Sequence, residues 1–227
     1  MSLQNELTAL SCLVREETSP RLLEVLDHFT ATLREQNVRA RSPKVGDTIE
    51  DVPLDMPLDM PHRGRVSLYT LLDKGPVVLN FYRGGWCPYC KLELSALHHV
   101  RPDLERHGAQ LVAITPERPE SIRQTVRKNR IDYAIAHDAN SEVAGRFGIA
   151  VALSEPMKAL YRSLGLNLSA RNADVRVRLP LPATYVIDTD GTVQYAFADE
   201  DYTQRAEPSG VLAALRSIVP KAVQSYG

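Results

Sequence analysis

Two cysteines in the stretch Trp86-Cys87-Pro88-Tyr89-Cys90 are the residues of this chain best suited to chemistry. With two residues between them they close a small disulfide ring and reopen it, which is thiol redox chemistry. The elements that position them can be read from the flanks. Val77-Val78-Leu79-Asn80-Phe81 is rich in β-branched and aromatic residues and predicts a buried strand. Arg83-Gly84-Gly85 breaks that strand, and Lys91-Leu92-Glu93-Leu94-Ser95-Ala96-Leu97 opens a helical pattern. Cys87 is therefore predicted at a helix N-terminus with Cys90 one turn inside. Unpaired N–H groups and the positive end of the helix dipole favour the thiolate of Cys87 there. Pro88 suits the first helical turn, where its missing N–H costs nothing.

The neighbouring residues have plainer alternatives. Two thiols alone make half a structural zinc site, and no second Cys/His pair stands at ligand spacing, so no metal is expected. His98 and His99 read as solvated or satisfied. Trp86 reads as a ring beside the nucleophile or as ordinary core. Arg83 reads either as a cation that lowers the Cys87 pKa and holds an anionic substrate, or as a solvated loop charge. Glu93, one turn from Cys90, could act as its base, although a helix-surface carboxylate is the simpler reading. Cys12 reads as a small apolar residue on the packed face of an N-terminal helix, with a distant resolving thiol or an intermolecular disulfide as the alternative.

The rest of the 227 residues supplies the frame. A formal net charge of −1 gives no nucleic-acid footprint and no membrane-surface patch. No apolar run approaches the roughly 20 residues of a transmembrane helix. No signal peptide is predicted at the N-terminus, and three cysteines do not make a secreted disulfide scaffold, so a cytoplasmic protein is expected. Residues 1–40 read as an N-terminal helical extension with two amphipathic helices meeting at Ser19-Pro20. They suggest a lid over the core, a homodimer contact, or simply an extension packed on its own domain. Residues 41–227 form the main domain. Residues 38–66 look loop-like, and Pro53-Leu-Asp-Met-Pro57-Leu-Asp-Met-Pro61 reads as an extended surface segment. Strands are predicted at Ala109–Thr115 and Tyr133–His137, and helices at Pro119–Asn129, Asn140–Phe147 and Pro156–Leu164. Pro102 should kink or split the helix that follows the cysteines. Residues 165–178 read as irregular. A hairpin across Thr189-Asp190-Gly191 and a closing helix over Ser209–Ile218 complete the chain. Alternating strands and helices imply a partly parallel sheet covered by helices, an α/β fold.

Strand, Cys-x-x-Cys, helix, and later a proline opening an antiparallel hairpin resembles the thioredoxin-like fold, a central mixed β-sheet flanked by helices. The wider pattern is similar to the peroxiredoxin-like branch of the AhpC/TSA redoxins. It is carried by Val45-Gly46-Asp47, by Gly75–Leu79, by Phe81–Cys90 with Glu93-Leu94, by Pro182–Asp188 and by Asp201–Pro208. Laid on the P-x-x-x-T-x-x-C motif of peroxiredoxins, Arg83 stands at the proline, Cys87 at the threonine and Cys90 at the peroxidatic cysteine. The family's catalytic arginine falls on Pro182. The centre itself resembles thioredoxin, with Cys87 attacking, Cys90 resolving and Pro182 as a cis-proline, while thioredoxin's buried acid falls on Asn80. The resemblance implies catalysis by Cys87 and Cys90, with Arg83, Trp86, Pro88, Tyr89 and Pro182 positioning the substrate. It implies no cofactor, a peroxide or disulfide substrate, and an external thiol reductant of thioredoxin or glutathione type. Peroxide reduction is the expected activity and disulfide exchange the alternative. A copper-binding thioredoxin-fold protein is a remote third, because no histidine follows the hairpin. Tyr202 and Arg205 belong to the family pattern, and the residues alone give them no role.

Overall fold

The fold is that of a computed structural model, which describes residues 2–57, 64–174 and 176–218. Two helices come first, α1 (Leu3–Glu17) and α2 (Pro20–Glu35). Then follow β1 (Pro53–Met56), β2 (Gly64–Ser67), α3 (Leu68–Leu72), β3 (Val77–Phe81), α4 (Pro88–Arg106), β4 (Gln110–Thr115) and α5 (Pro119–Asn129). Next come β5 (Ala134–His137), α6 (Glu142–Arg146), β6 (Ala150–Ala152), α7 (Glu155–Ser163), α8 (Leu168–Arg171) and β7 (Arg178–Pro180). The chain closes with β8 (Ala183–Ile187), β9 (Val193–Ala198) and α9 (Pro208–Ser217).

Seven strands form one mixed sheet in the order β2-β1-β5-β4-β3-β8-β9, with β3, β4 and β5 parallel and the other pairings antiparallel. β3 lies inside the sheet, paired with β4 on one side and β8 on the other, and is buried throughout. That is why it carries no polar face except at Asn80. Its alternate residues feed two cores. Val77, Leu79 and Phe81 join Phe147 and Tyr185 on one side, while Val78 and Tyr82 join Leu94, Leu97 and Val211 on the other. Cys87 and Cys90 lie in the second core, so the redox pair is built into the packing between β3 and α4.

Several sequence expectations change. The segment 38–66 includes two strands: Leu54 and Met56 alternate inward on β1, which pairs with β2 through Leu54↔Val66. A proline is tolerated as the first residue of such a strand. The second half of the Pro-Leu-Asp-Met near-repeat lies outside the described residues. α4 runs through Pro102 without a break, held by Leu97 and Leu104, which are buried on either side. The irregular stretch after α7 contains α8 and leads into β7, which pairs with β6 in a small second sheet. α1 packs against α4 and α2 against α7, and Leu3 and Leu7 are buried in the core that holds the cysteines. Cys12, expected on the packed face of α1, is exposed. It lies two residues beyond Leu10, which turns it about 200° away from the buried stripe. Among the described residues no helix is long and apolar enough to cross a membrane.

Candidate active site

Cys87 is the N-cap of α4 and Pro88 its first residue. Both cysteines are free thiols and buried, Cys87 at 2% exposure and Cys90 at 0%. Their surroundings differ. Burial pushes the Cys87 thiol up, but a hydrogen bond from the Cys90 side chain and the charges of Arg83 and Arg205 more than offset this and bring it down to about 5. Cys90 is pushed well above its ordinary value, first by burial and then by the bond it shares with Cys87. At neutral pH the pair is one thiolate and one thiol, with the proton on Cys90.

Arg83, left open between a solvated charge and a site residue, is buried at 4% exposure. Its guanidinium lies 4.9 Å from the Tyr202 ring centroid, 5.2 Å from Trp86 and 5.7 Å from Tyr161, and it donates to the Tyr161 hydroxyl. Three rings and a hydroxyl give a desolvated cation its partners. Trp86 stacks edge-on against Tyr161 at 5.2 Å, and Tyr89 against Tyr202 at 5.7 Å. The indole also fixes the glycine before it. A Cβ on Gly84, at φ +153°, would stand 2.2 Å from Trp86 Nε1. The loop needs glycine there on steric grounds as well as conformational ones.

Behind Cys90 lies a buried polar cluster. Arg205 Nη2 donates to Cys90 Sγ at 3.1 Å, and Nη1 donates to the carbonyls of Tyr202 and Gln204. Arg205 Nε stands 2.8 Å from Glu93 Oε2, a charge contact that misses hydrogen-bond angles. Thr184 Oγ1 reaches Glu93 Oε1 at 3.4 Å and accepts from Asn80 Nδ2 at 3.0 Å. Glu93 is therefore no surface carboxylate. It is 1% exposed, and burial, opposed by Arg205, pushes it up to about 8. The sequence held a signal for this: Cys90, Glu93, Leu94 and Leu97 follow the i, i+3, i+4, i+7 pattern of one helix face. Through Thr184 this buried carboxyl of α4 is linked to Asn80. Glu117, which the sequence reading did not single out, is also fully buried. Its Oε2 accepts from the Gly85 N–H at 2.8 Å and its Oε1 from Arg171 at 3.3 Å, tying the Gly-Gly loop to α8.

The proposed positioning residues do not all share one surface. Arg83, Trp86, Cys87, Pro88 and Tyr89 line a chamber of about 500 Å³ together with Tyr161, Tyr202 and leucines of α2 and α7. Pro182 is instead buried at a separate narrow cleft that touches Arg83 and Tyr202. Nor does it carry a cis bond, since no cis peptide occurs among the described residues. Between β7 and β8, where the chain passes from the small sheet to the large one, the Leu181 N–H bonds to the Ile149 carbonyl and the Asp199 N–H to that of Pro182. His99 Nδ1 stands 2.6 Å from the Ser95 carbonyl, while His98 Nδ1 lies 2.9 Å from Asp132 Oδ1 without hydrogen-bond angles, so His98 is neither solvated nor fully satisfied. Among the described residues no group of three or more His, Cys, Asp or Glu side chains could hold a metal ion.

Comparison with known proteins fits this frame. Residues 45–196 match the AhpC/TSA family. A Mycobacterium tuberculosis protein named as a peroxiredoxin is 28% identical over 175 residues, covering 77% of this chain and 97% of that one. The thiol-disulfide oxidoreductase ResA of Bacillus anthracis is 22% identical over 144 residues, covering 63% of this chain and 65% of that one. Among solved structures, the peroxidoxin BcpB of Mycobacterium tuberculosis superposes with a TM-score of 0.59 at 26% identity, covering 78% of this chain and 98% of that one. With that match spanning well over half its length, a thioredoxin-like sheet and a buried dithiol, the chain belongs to the AhpC/TSA family, as a peroxiredoxin-like thiol-dependent oxidoreductase.

Proposed function

We propose that the protein reduces a peroxide, with Cys87 as the attacking thiolate and Cys90 as the resolving thiol. The observation that carries this reading is access: Cys87 lines the chamber and Cys90 does not. The Cys87 thiolate attacks one peroxide oxygen, the O–O bond breaks, and the other oxygen leaves with a proton as water or an alcohol. Cys87 becomes a sulfenic acid. The Cys90 thiol then condenses with it, releasing water and forming the Cys87–Cys90 disulfide. The leaving hydroxyl carries off the Cys90 proton as that water, relayed by the ionised fraction of Glu93, whose value of about 8 makes this fraction grow with pH. Two external thiols return the two electrons and leave as a disulfide. A reductant of thioredoxin or glutathione type in the cytoplasm suits this cycle.

The depressed pKa alone does not make a peroxidase. At pH 7 it raises the thiolate fraction about thirtyfold over a free cysteine. The lower intrinsic nucleophilicity of such a thiolate cancels a factor of about the same size. Acceleration must come from the donors, Arg83 and the Tyr161 hydroxyl, acting on the charge that develops on the leaving oxygen. Disulfide exchange is the second reading, favoured by the same low pKa, which makes Cys87 a good leaving group in a mixed disulfide. Exchange with a protein disulfide needs the same contact at Cys87 as a thioredoxin-type reductant, so the two readings part only at the reaction with peroxide.

Stopped-flow fluorescence of Trp86, the single tryptophan, tests the choice. Reduced protein mixed with peroxide should show a phase about 10²-fold faster than a free thiol, the factor expected of a positioned donor. Cys87→Ser should lack it. A wild-type rate no better than a free thiol would remove peroxide reduction and leave disulfide exchange.

A further inference from the structure

Arg83 is a buried cation whose counter-charge comes and goes with the redox state of the site. The groups that act on it most are Tyr161, Cys87, Cys90 and Tyr202, with no carboxylate among them. Burial pushes both tyrosines up from their ordinary values, so they stay neutral, and Cys90 keeps its proton. The Cys87 thiolate is therefore the anion that balances Arg83. Glu17 lines the same chamber but is exposed to solvent. Once Cys87 and Cys90 close their disulfide, the thiolate charge is gone. A buried charge stripped of its partner is strongly destabilising until water reaches it.

The cover over that charge is firm at its ends and loose in the middle. Leu3 and Leu7 are buried at the start of α1, and Thr30 and Leu33 near the end of α2, where Arg34 pairs with Asp201 at 3.1 Å. Between them Leu10, Val14, Leu22, Val25, Leu26 and Phe29 are only half-buried. Val14, Leu22 and Leu26 from this middle part form a wall of the chamber that Arg83 also lines. Its leucines pack on the cluster of α7 that contains Tyr161, the residue whose hydroxyl accepts from Arg83. α1 and α2 lie outside residues 45–196, and Arg83 stands where the peroxiredoxin motif has its proline. Both halves of this arrangement are thus additions to the family frame.

We propose that the middle of the α1–α2 pair is a redox-controlled lid, closed over the Cys87 thiolate and lifted when the Cys87–Cys90 disulfide leaves Arg83 without an anion. The lid rests on that disulfide forming as in the cycle above, whichever oxidant makes it. In the reduced state the thiolate holds Arg83 among Trp86, Tyr161 and Tyr202, and a peroxide needs only the chamber to reach the sulfur. In the oxidised state Arg83 draws water into the chamber, and the half-buried leucines of α2 give up their seat on α7. The disulfide then becomes reachable by a reductant as large as a protein, although Cys87 is 2% exposed in the closed form. Reduction restores the thiolate and the lid closes. α4 stays folded throughout, because the two thiols are already one turn apart.

Hydrogen exchange read by mass spectrometry tests this on the full chain carrying Cys12→Ser, so that no other thiol competes. Reduced protein is compared with protein oxidised by diamide, which takes one hydrogen from each thiol and is itself reduced to the hydrazine. Peptides from residues 10–29 should exchange about tenfold or more faster in the oxidised form, a small part of what an unpaired buried charge costs, while those of β3 stay unchanged. Arg83→Met leaves no cation to strand, and its residues 10–29 should exchange at the same rate in both redox states. A disulfide confirmed by the loss of two hydrogens, with residues 10–29 no faster than in the reduced protein, would overturn the lid and leave the proposed cycle intact. Undiminished acceleration in Arg83→Met would likewise overturn control by that cation. Failure of Cys87 and Cys90 to pair under diamide would overturn the cycle, and the lid with it.

Discussion

Arg205→Met is expected to destabilise the protein by about 3–5 kcal/mol at pH 9, and by distinctly less at pH 6. The reason is the partner it leaves behind. Glu93 is 1% exposed, and its close charge contact is the Arg205 guanidinium at 2.8 Å. The Glu93 carboxyl stands at about 8 in the fold against an ordinary 4.5, so the folded state binds its proton more tightly than the unfolded chain does. Its contribution is fully present below about 4.5 and is lost as pH rises through about 8. The wild type should therefore lose stability across that window and level off above it, where the guanidinium holds the carboxylate. Without Arg205 the value rises further and the decline continues past pH 9. Below pH 7 Glu93 is largely neutral in both proteins, and the cost reduces to the bonds of Arg205 to Cys90 and to the carbonyls of Tyr202 and Gln204. Urea unfolding at the two pH values measures the difference. An equal cost at both would mean that Glu93 and Arg205 are not coupled as described.

Cys90→Ser is expected to stop turnover while preserving the first oxidation. Serine keeps a hydroxyl that can donate to the Cys87 thiolate, so Cys87 should remain ionised near neutrality and still attack peroxide. No thiol then stands beside the sulfenic acid, and one peroxide consumed per chain should end the reaction. Steady-state turnover with a dithiol reductant should fall by about 10³-fold or more, the size seen when one member of a catalytic unit is lost. Mass spectrometry of the stalled protein should find a single added oxygen on Cys87. No added oxygen on Cys87, or undiminished turnover, would contradict the assignment of Cys90 as the resolving thiol.

Much of this site was legible from the chain, and the parts that were not share a cause. β3, the Gly-Gly break and the start of α4 follow from local patterns, and those place Cys87 and Cys90 by themselves. Burial of Glu93 was within reach, because helix periodicity put it on the same face as Leu94 and Leu97. Arg205 was not. It sits in a loop between β9 and α9, and what brings it to Cys90 is the crossing of two distant segments that no local period records. Glu117 was lost for the same reason, acting across 32 residues on the Gly85 N–H. Arg83 shows the limit from the other side: its burial depends on Tyr161 and Tyr202, which arrive from α7 and from the loop after β9. The cis bond that the family resemblance implies at Pro182 is absent, and no local pattern of residues in the chain fixes that torsion. β1 was missed because its alternation is only four residues long and begins with a proline.

The most direct test of the central claim, that Cys87 is the thiolate of the pair and meets the substrate first, is the pH dependence of alkylation in the reduced protein. Iodoacetamide would be applied across pH 4 to 10 and the modified residues identified by peptide mass spectrometry. The account predicts modification of Cys87 with a midpoint near pH 5, lost as pH falls through that value, with Cys90 unmodified throughout the range in which Cys87 reacts. Exposed Cys12 serves as an internal standard for an ordinary thiol. Earlier alkylation of Cys90, or a Cys87 midpoint that coincides with that of Cys12, would contradict it.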